Sequence, residues 1–423
     1  MNRTFHPAGR LSGTIGVPGD KSISHRAAMF AAMAKGRSVI DGLGPGRDVA
    51  STLECLGALG YSSERIDGGV ALAGDGWSVE GNHSLDAGNS GTTMRLLAGA
   101  LGGRPGRFTI TGDESLSRRP MERIAVPLRQ MGAGISLSSG HAPVVVEGGS
   151  LRGIDYTMPV ASAQVKGAIL LAGTQASGTT SVIEAASSRD HTERMLRWLG
   201  KPVTAGAGIV QIEGGGEGLE AFEMQVPGDF SSAAFWLVAA ILVPLSQVRL
   251  EGVGLNPTRT ALLDVLAEMG ASFQVEKSAE EPEPLGSLET GFARLQSANI
   301  GAERVPQMID ELPLVALAAT QAEGETVIEG AEELRAKESD RIGGLAAGLS
   351  ALGGKVEELA DGLRITGPTA LSGGEVDSLG DHRLAMAFAI AGLIASAPVK
   401  VKGWDCAAVS YPGFEDDLRA LHG

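Results

Sequence analysis

The chain has few aromatic side chains, only two cysteines and no long hydrophobic run. Aromatic residues make up 4% of its 423 residues, so a core must be built mainly from Ala, Leu, Val and Ile. Cys55 and Cys406 lie far apart and in no metal-ligand spacing, which is typical of a reducing compartment. The longest apolar runs, 233–245 and 384–398, are shorter than the roughly 20 residues that span a bilayer, and they predict buried helices.

An excess of positive charge is also missing. The 35 basic and 50 acidic residues leave a net charge of −15, which argues against binding nucleic acid or a membrane through bulk charge. Residues 1–10 have no signal-peptide pattern, so we expect a cytoplasmic protein. The length exceeds what one hydrophobic core usually serves, and two domains are expected.

A helix ending of the form Leu-x-x-Leu/Met-Gly recurs along the chain. Its glycines are expected to close helices in the left-handed conformation, which glycine adopts without strain. The longest interval contains the acidic, proline-containing stretch 276–290, which we predict to be an exposed loop. The marker glycines stand at positions 60, 132, 200, 270, 353 and 423.

Six repeats of strands plus two helices predict twelve helices. Several expected starts have Ser, Asp or Asn just before an apolar run, or Pro in the first turn. The predicted starts lie near Ser22, Asp48, Asn89, Pro120, Ser162, Asp190, Asp229, Pro257, Gln307, Glu338, Asp381 and Gly413.

Basic residues stand at or near many of these helix starts. The N-terminus of a helix already favours an anion, so an added cation there indicates a phosphate or carboxylate site. Several Arg side chains suggest more than one such group, although a solvated basic helix start is the plain alternative. These residues are Lys21, Arg26, Arg47, Arg95, Arg118, Arg119, Arg123, Lys166, Arg189, Arg259, Lys337, Arg341 and Arg383.

Two carboxylates within this basic setting are candidates for proton transfer. Asp310 and Glu338 each stand at a predicted helix start, where neighbouring cations can tune an acid or base. The alternatives are a helix-dipole role for Asp310 and an intrahelical partner of Arg341 for Glu338. A nucleotide-binding P-loop is disfavoured, because Asp20 replaces the Gly that must precede the Lys of that motif.

Six motifs together resemble the 5-enolpyruvylshikimate-3-phosphate synthase family over essentially the whole chain. The resemblance implies a two-domain inside-out α/β barrel of six βαβαββ repeats, three in each domain. It places 1–18 with 228–423 in one discontinuous domain and 19–227 in the other, with the active site in the cleft between them. The motifs are Lys21-Ser-Ile-Ser-His-Arg26, Gly88-Asn-Ser-Gly-Thr-Thr-Met-Arg95, Arg119-Pro120, Ser162-Ala-Gln164, Lys337-Glu-Ser-Asp-Arg341 and Gly380-Asp-His-Arg383.

The resemblance implies transfer of enolpyruvyl from phosphoenolpyruvate to the 5-hydroxyl of shikimate 3-phosphate, with release of phosphate. It implies no cofactor, no metal and a monomer, and it gives Asp310, Glu338 and Lys21 catalytic roles. Shikimate 3-phosphate would be held by Lys21, Ser22, Arg26, Ser162, Ala163, Gln164, Arg189, Asp310 and Lys337. Phosphoenolpyruvate would be held by Lys21, Asn89, Gly91, Arg119, Gln164, Arg341 and Arg383.

Two departures from the family pattern and two alternative functions accompany this hypothesis. Ala163 stands where other members have Ser, and no Lys is present near Ser410, where some members use one. A UDP-N-acetylglucosamine enolpyruvyl transferase would share the fold, but it typically carries a cysteine in the loop that is 112–120 here, and this loop has none. A non-catalytic phosphometabolite-binding protein would be expected to lack Asp310 or Glu338.

Overall fold

A computed structural model describes residues 1–422 except residue 217. Packing of the backbone divides the chain into two units. Unit 1 comprises Met1–Pro18, Pro227–Glu280 and the chain from Pro284 onward, whereas unit 2 comprises Gly19–Val226 with Glu281–Glu283. Among the described residues, no helix is long and apolar enough to cross a membrane.

Regular elements occupy most of both units. The strands are β1 (Arg3–Phe5), β2 (Ser12–Gly16), β3 (Ala34–Asp41), β4 (Ser63–Ile66), β5 (Gly69–Asp75), β6 (Gly81–Asp86), β7 (Gly106–Thr111), β8 (Gly134–Ser138), β9 (His141–Gly148), β10 (Asp155–Thr157), β11 (Thr179–Ile183), β12 (Val203–Gly206), β13 (Ile209–Glu213), β14 (Leu219–Glu220), β15 (Glu223–Gln225), β16 (Gln247–Gly254), β17 (Phe273–Ala279), β18 (Leu285–Gly291), β19 (Asn299–Ile300), β20 (Gly324–Ile328), β21 (Lys355–Glu358), β22 (Leu363–Gly367), β23 (Gly374–Asp377) and β24 (Val399–Lys402). The α-helices are α1 (Lys21–Met33), α2 (Arg47–Ala58), α3 (Gly91–Leu101), α4 (Glu114–Ser117), α5 (Glu122–Met131), α6 (Ala163–Gly173), α7 (His191–Trp198), α8 (Phe230–Leu242), α9 (Ala261–Glu268), α10 (Val305–Met308), α11 (Leu312–Ala319), α12 (Arg341–Ala351), α13 (His382–Ile394) and α14 (Phe414–His422). Two 3₁₀ helices cover Glu332–Ala336 and Trp404–Val409.

The repeat is a four-stranded sheet with two longer helices. In one copy the strands lie in the order β6-β7-β9-β8, with β6 parallel to β7 and the other pairs antiparallel. The same order recurs as β10-β11-β13-β12 in unit 2 and as β19-β20-β22-β21 in unit 1. The predicted βαβαββ repeat is therefore confirmed.

Distant parts of the chain complete two further sheets. In unit 1, β2 lies parallel to β16, more than two hundred residues later in the chain. In unit 2, β14 and β15 both pair in parallel with β3. These pairings hold each unit together although the chain leaves unit 1 after its first residues and returns much later.

Three helices form the interior of each unit. In unit 2, α1, α3 and α6 are buried on nearly every face, and α3 packs against both of the others. In unit 1, α8, α11 and α13 pack against one another in the same way. Their many Ala residues permit close contact between helices, which suits a core that is poor in aromatic side chains.

The predicted helix starts agree with the structure to within a few residues. The largest differences are α11, which begins at Leu312 rather than near Gln307, and α9, which begins at Ala261 rather than near Pro257. The four-residue helices α4 and α10 are not predicted. Each described marker glycine has positive φ, between 80° and 111°, as a glycine closing a helix requires. Gly423 lies outside the described residues.

The prediction of an exposed loop over 276–290 is wrong. Most of this stretch belongs to the antiparallel hairpin of β17 and β18, in which Glu276 pairs with Ser287. β17 is exposed along most of its length, so charged side chains reach water while the backbone pairs with β18. The predicted exposure holds for β17 but not for β18, in which buried and partly buried residues alternate. Exposure also does not exclude a strand.

Candidate active site

In unit 1 one guanidinium contacts three carboxylates, and we name Asp310, Glu338, Arg341 and Asp381 the Arg341 cluster. Arg341 Nη1 lies 3.2 Å from Asp310 Oδ1, and Nη2 lies 2.6 Å from Glu338 Oε2. Arg341 Nε lies 2.8 Å from Asp381 Oδ2. The cluster thus combines one cation with three acidic side chains drawn from three separate segments.

Burial differs sharply within the Arg341 cluster. The side chains of Arg341 and Asp381 are 1% and 0% exposed, whereas those of Asp310 and Glu338 are 18% and 21% exposed. Burial works against the charge of Arg341, but the three carboxylates hold its pKa above the ordinary value. A permanently charged, buried guanidinium therefore supports two carboxylates that remain accessible.

Helix capping positions Arg341 and Asp381 of this cluster. Asp340 caps α12 by accepting from the Gly343 amide, and Asp381 caps α13 by accepting from the Arg383 amide. Both carboxylates thereby satisfy amides that have no partner within their own helix. Glu338 is a partner of Arg341, as the alternative to catalysis expected, but the pair is not intrahelical because α12 begins at Arg341 and Glu338 precedes it.

Two other predicted residues of unit 1, Lys337 and Arg383, lie near this cluster in the sequence, whereas Ser410 lies further along the chain. Lys337 directly follows the 3₁₀ helix Glu332–Ala336 and is partly buried. Arg383 is the second residue of α13, and it is buried at 6% exposure. Ser410 ends the 3₁₀ helix Trp404–Val409, where its amide bonds the Ala407 carbonyl.

In unit 2 the start of α1 brings Lys21, Ser22 and Arg26 onto one helix. Asp20 caps this helix by accepting from the Ile23 amide, and Lys21 Nζ lies 3.1 Å from Asp48 Oδ2. Gly19 approaches the backbone of Gly42 so closely that a Cβ would lie 1.8 Å from the Gly42 carbonyl oxygen. Only glycine fits at that position, which fixes how the chain enters α1.

Arg26 is buried beside α7. Its Nε donates to Thr192 Oγ1 at 2.7 Å, and its Nη1 donates to the Ser22 carbonyl at 2.8 Å. Burial lowers the pKa of Arg26 to about 10, so the guanidinium stays charged at neutral pH. Arg189 lies close enough for its charge to act on Arg26 in the same direction.

A second group in unit 2 surrounds Gly91, and we name Asn89, Gly91, Arg95, Arg119 and Gln164 the Gly91 cluster. Arg95 Nη1 donates to Gln164 Oε1 at 2.5 Å, and Arg119 Nη2 donates to Asn89 Oδ1 at 2.7 Å. A Cβ on Gly91 would lie 2.7 Å from Arg95 Nη1 and 3.4 Å from Arg119 Nη1. Both guanidinium groups therefore lie against this glycine.

Helix starts bring the Gly91 cluster together. Ser90 caps α3, and Ser162 caps α6 by accepting from the Val165 amide. Gln164 Nε2 donates to Thr92 Oγ1 at 2.9 Å, so the first turns of α3 and α6 are adjacent. Ala163 is the first residue of α6 and is partly buried.

A chain of buried side chains runs beneath these helix starts. His25 Nδ1 lies 2.6 Å from Thr52 Oγ1, which lies 2.7 Å from Thr93 Oγ1. Thr93 in turn donates to Ser90 Oγ at 2.7 Å, one residue before Gly91. Burial lowers the pKa of His25 to about 3, so the ring is neutral at physiological pH.

Sequence reasoning missed several members of these groups. Asp48, Thr192 and Asp381 hold Lys21, Arg26 and Arg341, but none was a candidate site residue. Arg95 is a basic helix start and part of a family motif, but it is not among the predicted site residues. Asp381 could have been found as the capping Asp of the Gly-Asp-His-Arg motif, since a carboxylate beside two Arg-bearing helix starts is a natural partner for an Arg.

Comparison with known proteins relates this chain to one family over nearly its full length. The family model described as EPSP synthase (3-phosphoshikimate 1-carboxyvinyltransferase) matches residues 5–418. The chain is 52% identical to a 3-phosphoshikimate 1-carboxyvinyltransferase from Gloeobacter violaceus, covering 98% of each chain. It is 51% identical to one from a Synechococcus strain, over 99% of this chain and 96% of that one.

Solved structures give the same relationship. An EPSP synthase from Acinetobacter baumannii superposes with a TM-score of 0.88 at 42% identity, covering 99% of this chain and 98% of that one. An enolpyruvyl transferase from Streptomyces tendae, at 20% identity and a TM-score of 0.80, shares the fold. The predicted fold class is confirmed, and the chain belongs to the EPSP synthase (3-phosphoshikimate 1-carboxyvinyltransferase) family.

Proposed function

We propose that the Arg341 cluster and the helix starts of unit 2 divide the work of this family's reaction. The chain transfers the enolpyruvyl group of phosphoenolpyruvate to the 5-hydroxyl of shikimate 3-phosphate and releases phosphate. The observation that carries the division of roles is the Arg341 cluster, in which two accessible carboxylates flank one buried guanidinium. Such a pair can move protons at a substrate while the cation keeps its place.

Asp310 is the residue that we assign to the acceptor hydroxyl. Its Oδ1 lies 3.2 Å from Arg341 Nη1, and a neighbouring guanidinium stabilises the ionised carboxylate, which is the form that accepts a proton. Asp310 takes the proton of the 5-hydroxyl as its oxygen attacks C2 of phosphoenolpyruvate. Glu338 and Lys21 deliver a proton to the methylene carbon, and they then take a proton back from the resulting methyl group as phosphate leaves, which restores the double bond.

The helix starts of unit 2 supply charge for anionic substrates. Arg26 is buried and charged, which suits a fixed partner for the shikimate 3-phosphate anion. We assign to the same substrate Ser22, Ser162, Ala163, Gln164 and Arg189. Asn89, Gly91, Arg119 and Gln164 of the Gly91 cluster hold phosphoenolpyruvate. Lys337 completes the shikimate 3-phosphate set, and Arg341 and Arg383 complete the phosphoenolpyruvate set. Donors fixed in advance stabilise charge that develops as C2 becomes tetrahedral.

A phosphate-release assay tests the acceptor directly. Purified protein with phosphoenolpyruvate is expected to release phosphate when shikimate 3-phosphate is added and not when UDP-N-acetylglucosamine replaces it. Turnover with the sugar nucleotide would overturn the assignment in favour of the related enolpyruvyl transferase. Binding of both substrates without any phosphate release would instead favour a non-catalytic binding protein.

A monomeric, cytoplasmic protein remains a prediction from the sequence. The two free cysteines, one buried and one partly buried, support the cytoplasmic location only. Light scattering coupled to size-exclusion chromatography is expected to give the mass of one chain, and a mass of two chains would contradict it.

A further inference from the structure

Unit 2 contains a buried ionic network that the proposed reaction does not use. Lys166 Nζ lies 2.7 Å from Glu184 Oε2 and 2.7 Å from Glu193 Oε1. The three side chains are 2%, 4% and 2% exposed, so the network is closed to solvent. Burial works against the charge of Lys166, but the two carboxylates hold its pKa above the ordinary value. The lysine is therefore charged and fixed.

The network ties α6 to the loop that carries Arg189. Glu184 Oε1 accepts from both the amide and the hydroxyl of Ser188, at 3.3 Å and 2.5 Å. Lys166 Nζ also donates to the Ser188 carbonyl at 3.4 Å. Because Ser188 directly precedes Arg189, these bonds fix the backbone from which the Arg189 side chain leaves.

The same network borders Arg26. Glu193 stands next to Thr192, which accepts the Arg26 Nε bond, and its charge raises the pKa of Arg26 against the effect of burial. Gly167, the neighbour of Lys166, lies so close that a Cβ would be 3.0 Å from Thr192 Oγ1 and 3.3 Å from Arg26 Nη2. Lys166 therefore stands where α6, α7 and the Arg189 loop meet.

A buried ion pair of this kind is a weak source of stability. Removing charges from water costs several kcal/mol for each ion, and packed apolar side chains often serve a fold equally well. This network joins α6, α7 and the Arg189 loop. Its role is therefore better explained by the geometry that it imposes on these three segments than by the stability that it adds.

We propose that Lys166 is a positioning residue that sets the spacing of Arg26, Ser162 and Arg189, the residues that we assign to shikimate 3-phosphate. The proposal rests on the proposed function, because it takes that substrate as the occupant of these residues. Lys166 itself does not contact the substrate. Its loss should weaken binding of the acceptor and leave phosphoenolpyruvate and the chemical step nearly unaffected.

Steady-state kinetics on two variants test this role. Lys166→Met is expected to raise the KM for shikimate 3-phosphate at least tenfold, which corresponds to about 1.4 kcal/mol. The kcat and the KM for phosphoenolpyruvate should stay within about threefold of wild type. Lys35→Met, at an exposed lysine of the same unit, is the matched control and should change neither KM.

Ser188→Ala provides a milder variant in case Lys166→Met does not fold. It removes the hydroxyl bond to Glu184 without leaving a buried charge unpaired, and it should raise the KM for shikimate 3-phosphate about threefold. Equal changes in both KM values, or a loss confined to kcat, would overturn the proposal. Absence of wild-type turnover with shikimate 3-phosphate would instead refute the proposed function, which separates the two failures.

Discussion

The Arg341 cluster and the Gly91 cluster both hold guanidinium groups at helix starts, but the partners are charged carboxylates in the first and neutral amides in the second. Arg341 is surrounded by three carboxylates, whereas Arg95 and Arg119 donate to the neutral amide oxygens of Gln164 and Asn89. An amide fixes the direction of a guanidinium and leaves its charge in place, which suits binding of an anion. Carboxylates in excess around one cation suit the transfer of protons.

The largest expected effect separates the two clusters by kinetics. Asp310→Ala and Glu338→Ala should each lower kcat by about 10²–10⁴-fold, the usual contribution of a general acid or base. Binding of shikimate 3-phosphate, measured by calorimetry, should survive in both variants. Glu357→Ala, at an exposed strand carboxylate, is the control. Near-normal kcat in either variant would remove that residue from the proton transfers.

The second largest expected effect is on the free energy of unfolding, which should fall more when a carboxylate partner of a guanidinium is changed than when an amide partner is removed. Asp381→Asn keeps a capping oxygen for the Arg383 amide but removes the carboxylate charge beside the buried Arg341. Asp310 and Glu338 still compensate the charge of Arg341 in this variant. The expected cost is therefore that of one buried hydrogen bond to a charged group, about 2–3 kcal/mol, which urea denaturation would measure as a lower free energy of unfolding.

Gln164→Ala is the counterpart in the Gly91 cluster. It removes the oxygen that accepts a hydrogen bond from the charged Arg95 guanidinium, and the expected loss is about 1.5 kcal/mol because the pair is only partly buried. Glu357→Gln, in an exposed ion pair with Arg364, should change stability by less than about 1 kcal/mol. Equal losses for Asp381→Asn and Gln164→Ala would show that the charges of the partners do not distinguish the clusters energetically.

Local chemistry made part of this arrangement predictable from sequence. Ser90, Ser162 and Asp381 have the residue types that cap helices, and all three do so. The marker glycines marked helix ends, because few other residues adopt positive φ without strain. These signals depend on neighbours within a few positions, and they are visible in one sequence.

Partners across long separations were not predictable in this way. The bond between Arg341 and Asp381 joins residues forty positions apart, and that between Arg26 and Thr192 spans 166. No periodicity specifies such pairs, since they depend on how repeats stack. The β17–β18 hairpin was missed for a related reason, because its exposed strand is held by backbone pairing rather than by an apolar pattern.

The pH dependence of stability tests the buried chain that ends beside the Gly91 cluster. The pKa of His25 falls from 6.5 to about 3 on folding, so the unfolded chain gains a proton below pH 6.5 that the folded protein does not bind. The contribution of the neutral His25 ring to the free energy of unfolding is therefore present above pH 6.5 and is lost as the pH falls towards 3. Between pH 7 and pH 5 the loss from this one ring should be about 2 kcal/mol.

Comparison of His25→Gln with wild type isolates that contribution. The variant should show a slope of unfolding free energy against pH that is flatter between pH 7 and pH 5, with His6→Gln, at an exposed histidine, as the control. Parallel curves for wild type and His25→Gln would contradict a neutral ring in the folded protein.

The smallest expected effect on kinetics probes the space within the Gly91 cluster. In Gly91→Ala the new methyl group would lie 2.7 Å from Arg95 Nη1, the far end of a flexible side chain, so the fold should remain intact while that guanidinium shifts. The KM for phosphoenolpyruvate should rise about tenfold, equivalent to about 1.4 kcal/mol, with kcat within threefold of wild type. Gly57→Ala is the matched control, because a Cβ there meets nothing within 4 Å. An unchanged KM would place phosphoenolpyruvate away from Gly91, whereas a fall in kcat alone would assign the Gly91 cluster the chemical role that we give to the Arg341 cluster.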